Sequence, residues 1–316
     1  MWLSSTTASA RLLLDVDAAR EAAALHPRSA AHALEYGQAL LAAERLPDAI
    51  AELQRTLRLD YTLADARFAL GCAWLEAGEP DKALEAFDQL EDDDEVAPKI
   101  AAARMMKAQP RSDAGYIRHL FDQFATDYDQ RMIGQLGYAA PRILRDLADM
   151  VMPRRDSLAI LDLGCGTGLT GVAFQDLAYR LDGIDLSPAM VEKARARNLY
   201  DHLAVADIET ALSKDDVAFD LIVAADTLVY LGELARVFAD ARRRLKPDGF
   251  FLFTVEAKSG EGFELGPKRR WRHSELYLRD LAETSGFEVI GFVTCAPRHE
   301  ANVPVEGFAV ALSLPA

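Results

Sequence analysis

Two regimes of hydrophobic patterning divide this sequence. Residues 8 to about 108 are rich in Ala, Leu, Glu and Arg, with apolar positions at helical spacing and almost no β-branched runs, which predicts helices throughout. From Leu158 onward, short apolar strands alternate with helical stretches, as in a parallel sheet covered on both faces. Strands are expected near 159–163, 180–185, 202–206, 219–224, 249–255, 287–294 and 305–313. A loop rather than a helix joins the last two, so they are expected to pair antiparallel.

The helical part repeats itself. Gly37, Leu40, Ala43, Ala49, Ile50 and Leu53 are matched 34 residues later by Gly71, Trp74, Ala77, Ala83, Leu84 and Phe87. The small residues belong where two antiparallel helices approach closely, since a large side chain there would push the pair apart. Length and pattern resemble the tetratricopeptide repeat, with Pro27 at one repeat end and Tyr61 and Glu95 standing where the other two would carry Pro. Residues 10–26 would supply the second helix of a truncated leading repeat and residues 97–108 a closing helix. The acid run Glu91 to Glu95 reads as a solvated turn. Such a stack either offers a concave surface to a peptide or partner protein, or serves as a packing or homodimerisation module.

Composition narrows the classes. A chain of 316 residues exceeds what one core usually organises, and half of it is hydrophobic with 27% charged, so folded domains are expected rather than disorder. The net charge of −15 repels phosphate backbones and argues against nucleic acid as a partner. The basic cluster Lys268, Arg269, Arg270 and Arg272 is either a solvated loop or an anion clamp for a substrate carboxylate or phosphate. Three separated cysteines, Cys72, Cys165 and Cys295, fit neither a disulfide framework nor a zinc site and imply a cytoplasmic setting. No stretch reaches the roughly 18 apolar residues of a membrane span, no export signal is expected, and no grouping of His, Asp or Glu has metal-ligand spacing.

The most informative segment is Ile160-Leu161-Asp162-Leu163-Gly164-Cys165-Gly166-Thr167-Gly168-Leu169-Thr170, an apolar strand entering a glycine-rich turn and then a helix. Without Cβ atoms the turn lets a ligand lie against the backbone. Leu169 stands where a dinucleotide site would place its third glycine, and Asp162 would disfavour a pyrophosphate but favour a cationic ligand. The second strand ends in Asp185, 21 residues after Gly164, where a carboxylate can accept both ribose hydroxyls. The third ends in Asp207-Ile208, where the acid can accept from an adenine amino group and the isoleucine can pack on the ring.

Residues from about 112 to the C-terminus therefore resemble the class I S-adenosylmethionine-dependent methyltransferases, and the fusion resembles the predicted tetratricopeptide-containing methyltransferases. The resemblance implies an α/β fold, a Rossmann-like seven-stranded sheet behind an all-α helical-repeat domain. It divides the chain into a repeat domain over 1–108, a linker with lid helices over 109–157 and a cofactor domain over 158–316. It further implies S-adenosylmethionine as cofactor, with S-adenosylhomocysteine as product. Asp162 and Gly164 would hold the methionine moiety, Asp185 the ribose, and Asp207 with Ile208 the adenine; Cys165, Gly166, Gly168 and Leu186 complete the set. The segment Phe121-Asp122-Gln123-Phe124-Ala125-Thr126-Asp127-Tyr128-Asp129 has aromatics at helical spacing that could be a packing face. It also matches a lid of similar small-molecule methyltransferases, in which Phe124 and Tyr128 would shield the sulfonium by cation–π contact.

Methyl transfer is an in-line displacement at an activated carbon, needing alignment, a dry cavity and sometimes a base. The fourth strand ends Ala224-Ala225-Asp226-Thr227-Leu228-Val229-Tyr230, without the Asn/Asp-Pro-Pro-Tyr run of many amino-group methyltransferases. Asp226 and Tyr230 are catalytic candidates, and His273, expected to open a helical segment, is the candidate general base. Arg298, with Glu300 and Arg272, is the candidate site for a substrate carboxylate. The expected activity is methylation of a small, possibly acidic metabolite on oxygen, nitrogen or sulfur. Two rivals are a protein methyltransferase whose repeats capture the polypeptide, and a non-catalytic cofactor-binding scaffold.

Overall fold

The computed structural model describes residues 16–43, 45–91, 93–125, 127–153, 157–214, 217–266, 269–300 and 302–315. Part of the expected leading helix (residues 10–15), Asp92 of the acid run, Thr126 of the aromatic segment and Lys268 of the basic cluster lie outside them. The chain divides after Gln109 into two compact units. Among the described residues no helix is long and apolar enough to cross a membrane.

The first unit is helical: α1 (16–25), α2 (Ala30–Ala42), α3 (Leu46–Leu59), α4 (Ala64–Glu76), α5 (Pro80–Phe87) and α6 (Val96–Ala108). Ser29 caps α2, while Pro47 and Pro80 occupy first-turn positions of α3 and α5, where a missing N–H costs nothing. The 34-residue period has a packing cause. A Cβ on Gly37 would come within 2.8 Å of Leu53, and a Cβ on Gly71 would run into the ring of Phe87, the residue one period after Leu53. Ala49 and Ala83 are fully buried beside them. The acid run is a turn whose Asp93 carboxylate accepts from the N–H groups of Glu95 and Val96, which starts α6.

The second unit begins at Pro110 and includes the residues read as linker and lid. It opens with α7 (Ala114–Phe124), a π-helical turn (Gln130–Gln135) and α8 (Ala140–Val151). The sheet follows as β1 (Leu158–Leu163), β2 (Ala178–Asp185), β3 (His202–Val205), β4 (Phe219–Ala224) and β5 (Leu245–Lys258), interleaved with α9 (Leu169–Phe174), α10 (Pro188–Ala196), α11 (Ile208–Lys214) and α12 (Ala235–Arg244). The chain then forms β6 (Phe263–Leu265), β7 (Trp271–Ser274), α13 (Glu275–Thr284), β8 (Glu288–Cys295), β9 (His299–Glu300), β10 (Val303–Pro304) and β11 (Gly307–Ser313). The strand order is β3-β2-β1-β4-β5-β11-β8, with β3 to β5 parallel and β11 antiparallel to both its neighbours. Four short strands join the expected seven: β7 runs parallel to β5 and carries β6 on its far side, while β9 and β10 pair by themselves.

Strand periodicity explains the two cores. Along β1, Ala159, Leu161 and Leu163 face a cluster built with Leu212, Phe238 and Leu281 from α11, α12 and α13. Leu158 and Ile160 face the opposite cluster, built with Leu144 and Leu147 from α8 and Phe174 from α9. A sheet covered on both sides buries the side chains of both faces, and all six residues of β1 are buried, the acid Asp162 among five apolar residues.

Candidate active site

The strand order reverses between β1 and β4, and such a switch point opens a crevice at the carboxyl ends of the strands. A cleft lies there, walled by the turn after β1, the ends of β2, β3 and β4, and the helix α7. Gly164 and Cys165 donate to the Ile184 carbonyl at 2.8 and 3.0 Å, which fixes the turn to β2. Gly164 has φ +70°, and a Cβ on it would collide with Thr227, whose Oγ1 donates to the Leu163 carbonyl. Gly166 has φ +53°, and a Cβ there would meet only open space on the cleft wall. One glycine admits the neighbouring loop; the other leaves backbone bare for a ligand.

The acids at the strand ends are held in different ways. Asp185 accepts from Gly166 N–H on Oδ2 and from Ser187 N–H on Oδ1, both at 2.8 Å. Burial pushes its pKa up and these two N–H groups offset part of that. Each oxygen keeps a lone pair for a ligand hydroxyl. Asp207 pairs with Arg111 at 2.5 Å and accepts from Thr210 N–H, while Arg111 also pairs with Glu209. Burial raises the Asp207 pKa, yet Arg111 brings it below the usual range. Leu186 and Ile208 line the same end of the cleft, making an apolar slot beside the two acids.

The structure moves three expected cofactor contacts off the wall. Asp162 is 0% exposed within β1, with Oδ2 accepting from the Tyr200 hydroxyl at 2.7 Å and Oδ1 buried without a partner among the described residues. Burial pushes its pKa up to about 7, opposed by the Tyr200 bond and reinforced by the charge of Asp185. Gly168 starts α9 with φ +92° against Arg197 and Tyr200, so its glycine serves the turn. Phe124, the last residue of α7, is 37% exposed and lies outside the cleft wall; Ala114, Ile117 and Phe121, on one helix face, line it instead.

The segment expected to form a lid is fastened by two acids that the aromatic pattern concealed. Asp122 accepts from Ser187 Oγ at 2.5 Å and from Ala189 N–H at 3.3 Å, at the start of α10. Asp129 accepts from Thr167 Oγ1 at 2.5 Å and from Arg197. Phe121, just ahead of Asp122, meets Tyr128 and Tyr230 edge-on, with ring centroids 6.1 and 5.6 Å apart. Ahead of α7, Pro110 accepts from Gly232 and Glu233, and Ser112 donates to Tyr230, strapping this segment beside the cleft.

At the other end Asp226, with φ +57°, follows β4. Its Oδ1 accepts from Arg298 at 2.8 Å and its Oδ2 from Arg270 at 3.1 Å, and Arg270 also donates to the Tyr230 hydroxyl at 2.8 Å. Asp226, Tyr230 and Arg270 all line the cleft. Of the basic cluster, then, Arg270 is no solvated loop residue, a placement for which the sequence offered no signal beyond the cluster itself.

Two sequence expectations are corrected here. His273 does not open a helix or reach the cleft: it sits in β7, fully buried, with Nε2 bonded to the Gly232 carbonyl at 2.9 Å. Burial drives its pKa down to about 4, although the backbone bonds oppose this, so at neutral pH it is an uncharged core residue. Arg298 is 2% exposed and encircled by Asp226, Glu256 and Glu300, because a buried guanidinium must be neutralised. It holds Asp226 in place instead of facing the cleft. Glu300 and Arg272 line a separate depression.

Comparison with known proteins agrees with this geometry. Residues 160–249 match the family model described as a methyltransferase domain, and residues 16–64, 47–98 and 68–109 match that of the tetratricopeptide repeat. Methyltransferase-like protein 27 of Homo sapiens is 33% identical over 129 residues, 40% of this chain and 52% of that protein. A malonyl-acyl-carrier-protein O-methyltransferase of Geobacter sulfurreducens is 37% identical over 155 residues, 45% of this chain and 54% of its own. The chain thus spans about half the length of these curated relatives. In fold alone, it resembles the cyclase SpnF, at TM-score 0.54 and 19% identity over 66% of this chain and 99% of that one. It likewise resembles the magnesium protoporphyrin IX methyltransferase of Synechocystis, at TM-score 0.50 and 15% identity over 64% and 97%. A methyltransferase domain and tetratricopeptide repeats, each matched by its family model, are therefore joined in this one chain.

Proposed function

We propose that this protein is an S-adenosylmethionine-dependent methyltransferase acting on a small, acidic acceptor. The observation that carries the reading is the cleft itself, where bare backbone at Gly166, a fixed Asp185 carboxylate, and the Asp207–Ile208–Leu186 slot converge. These residues fit an adenosyl group: Asp185 would take the ribose hydroxyls, Ile208 and Leu186 the faces of the adenine, and Asp207 its amino group. When bound, S-adenosylmethionine supplies a methyl on a sulfonium, activated toward a nucleophile. The chain's own contribution is alignment and exclusion of water. Phe121, Tyr128 and Tyr138 wall the cleft with aromatic surface, and the lid acids hold that wall in place. The malonyl-acyl-carrier-protein relative, which acts on oxygen, favours an acidic acceptor over a polypeptide amine.

Calorimetric titration of the full chain with S-adenosylhomocysteine tests this reading. Micromolar binding is expected, weakened at least ~10-fold in Asp185→Ala, since a charge-assisted pair of hydrogen bonds is lost. A wild-type chain that binds neither S-adenosylhomocysteine nor S-adenosylmethionine refutes it.

A further inference from the structure

We propose that Arg270 anchors a carboxylate on the acceptor and that the protein methylates a carboxylate oxygen, releasing a methyl ester; this rests on the methyltransferase reading above. The first support is the unequal neutralisation of the two buried arginines. Arg298 is enclosed by three acids and never reaches the cleft. Arg270 stands on the cleft wall, and the acid facing it, Asp226, divides its two oxygens between both guanidiniums. Glu256 bonds to Arg298 and lies 3.6 Å from Arg270. A guanidinium has five N–H donors in a rigid fork. The contacts to Asp226 and Tyr230 engage one on Nη1 and one on Nη2, and Nη1 also ion-pairs with Glu256, which leaves Nε and the second Nη2 donor. The partly compensated cation therefore presents further donors beside the end of β4, with Ile117, Phe121, Leu231 and Tyr138 offering apolar surface to the rest of an acid.

The second support is what the wall lacks as a base. Asp185 is engaged by two N–H groups, Asp207 by Arg111, and Asp226 by two arginines. Burial pushes the Tyr128, Tyr138 and Tyr230 hydroxyls and the Cys165 thiol up, so they stay protonated. An alcohol, thiol or ammonium acceptor would have to give up a proton, and no described lining side chain is disposed to take it. A carboxylate arrives without one. A lone pair on its oxygen forms the bond to the methyl carbon as the carbon–sulfur bond breaks; that pair stays on sulfur, the sulfonium becomes a neutral thioether, and no proton moves. Opposite charges are annihilated in this step, which a low-dielectric cleft favours.

The test uses the full chain, methyl-tritiated S-adenosylmethionine and a panel of straight-chain and aromatic mono- and dicarboxylic acids, each paired with its amide and with an amine or phenol of the same skeleton. Transfer is expected to the acids alone, with the label released as volatile methanol by mild base. The same acids, and not their amides, should raise the melting temperature of the S-adenosylhomocysteine complex. Arg270→Met should raise KM for the acid roughly 10- to 100-fold, Arg270→Lys should recover part of that, and both should keep wild-type affinity for S-adenosylhomocysteine. The inference is overturned by base-stable label on amines or phenols, by an unchanged KM in Arg270→Met, or by a wild type that binds S-adenosylhomocysteine yet neither methylates nor is stabilised by any acid. A wild type that does not bind S-adenosylhomocysteine overturns the methyltransferase reading, and this inference falls with it.

Discussion

Asp162 shows how one buried carboxylate can change stability with pH. In the native chain its pKa is pushed from the model-peptide value of 3.8 up to about 7, so between those pH values the folded state holds a proton that the unfolded state has released. Its contribution is therefore greatest at low pH and is lost as pH rises toward 7. His273 acts in the opposite sense: with its pKa lowered from 6.5 to about 4, stability is lost as pH falls through that window. Because the two overlap, the raw pH profile is uninformative and a difference is needed. Asp162→Asn, which cannot titrate, should gain on wild type steadily from pH 4 to pH 7 in urea unfolding and then run parallel to it. A constant difference across that range would mean that Asp162 is ionised in the fold. Tyr200→Phe removes the hydroxyl donor from a buried acid and should cost about 1–3 kcal/mol at pH 7.

At the scale of elements, the segment proposed as a lid is α7 with the turn that follows, held down by Asp122 and Asp129. Asp129→Asn keeps the side-chain shape but removes the charge that meets Arg197 and Thr167. Residues 114–135 should then exchange amide hydrogens faster, and S-adenosylhomocysteine should dissociate roughly 10-fold faster; unchanged exchange would show that the aromatic contacts alone close the lid. The aromatic spacing was legible in sequence because a helix face is a local pattern. The latches were not, since Asp129 and Arg197 are 68 residues apart and nothing in either segment names the other. The same distinction separates the strands. β1 and β4 are buried on both faces and appear as apolar runs, whereas β7 is Trp271-Arg272-His273-Ser274, four residues long and defined by its pairing with β5 and β6. His273 was chosen as a base because a free imidazole titrates near neutral pH, and that reasoning could not see the burial that pairing imposes on it. The glycine turn with Asp185 and Asp207 was legible because this chemistry sits at strand ends, where register is fixed. Arg111 and Arg270 arrive from loops.

For the whole molecule, the question is whether the repeat unit and the sheet unit stand or fall together. Each unit closes hydrophobic clusters of its own: Leu53, Leu70 and Phe87 belong to the repeats, while Leu161, Phe253 and Leu281 belong to the sheet. Two perturbations can therefore be aimed separately. A side chain at position 71 drives into the Phe87 ring, so Gly71→Val should cost about 1–3 kcal/mol of overpacking. Two and a half repeats form a short stack in which each repeat depends on its neighbours, so that cost should appear across the unit. S-adenosylhomocysteine at 100 times its Kd should stabilise the sheet unit by ~2.7 kcal/mol. Scanning calorimetry of the intact chain should show two transitions, one lowered by Gly71→Val and the other raised by the ligand. A single transition displaced by both would mean that folding couples the units, and the repeats would then stabilise the cleft in addition to any partner they bind. With two independent transitions, any influence of the repeats on turnover has to come from what they hold.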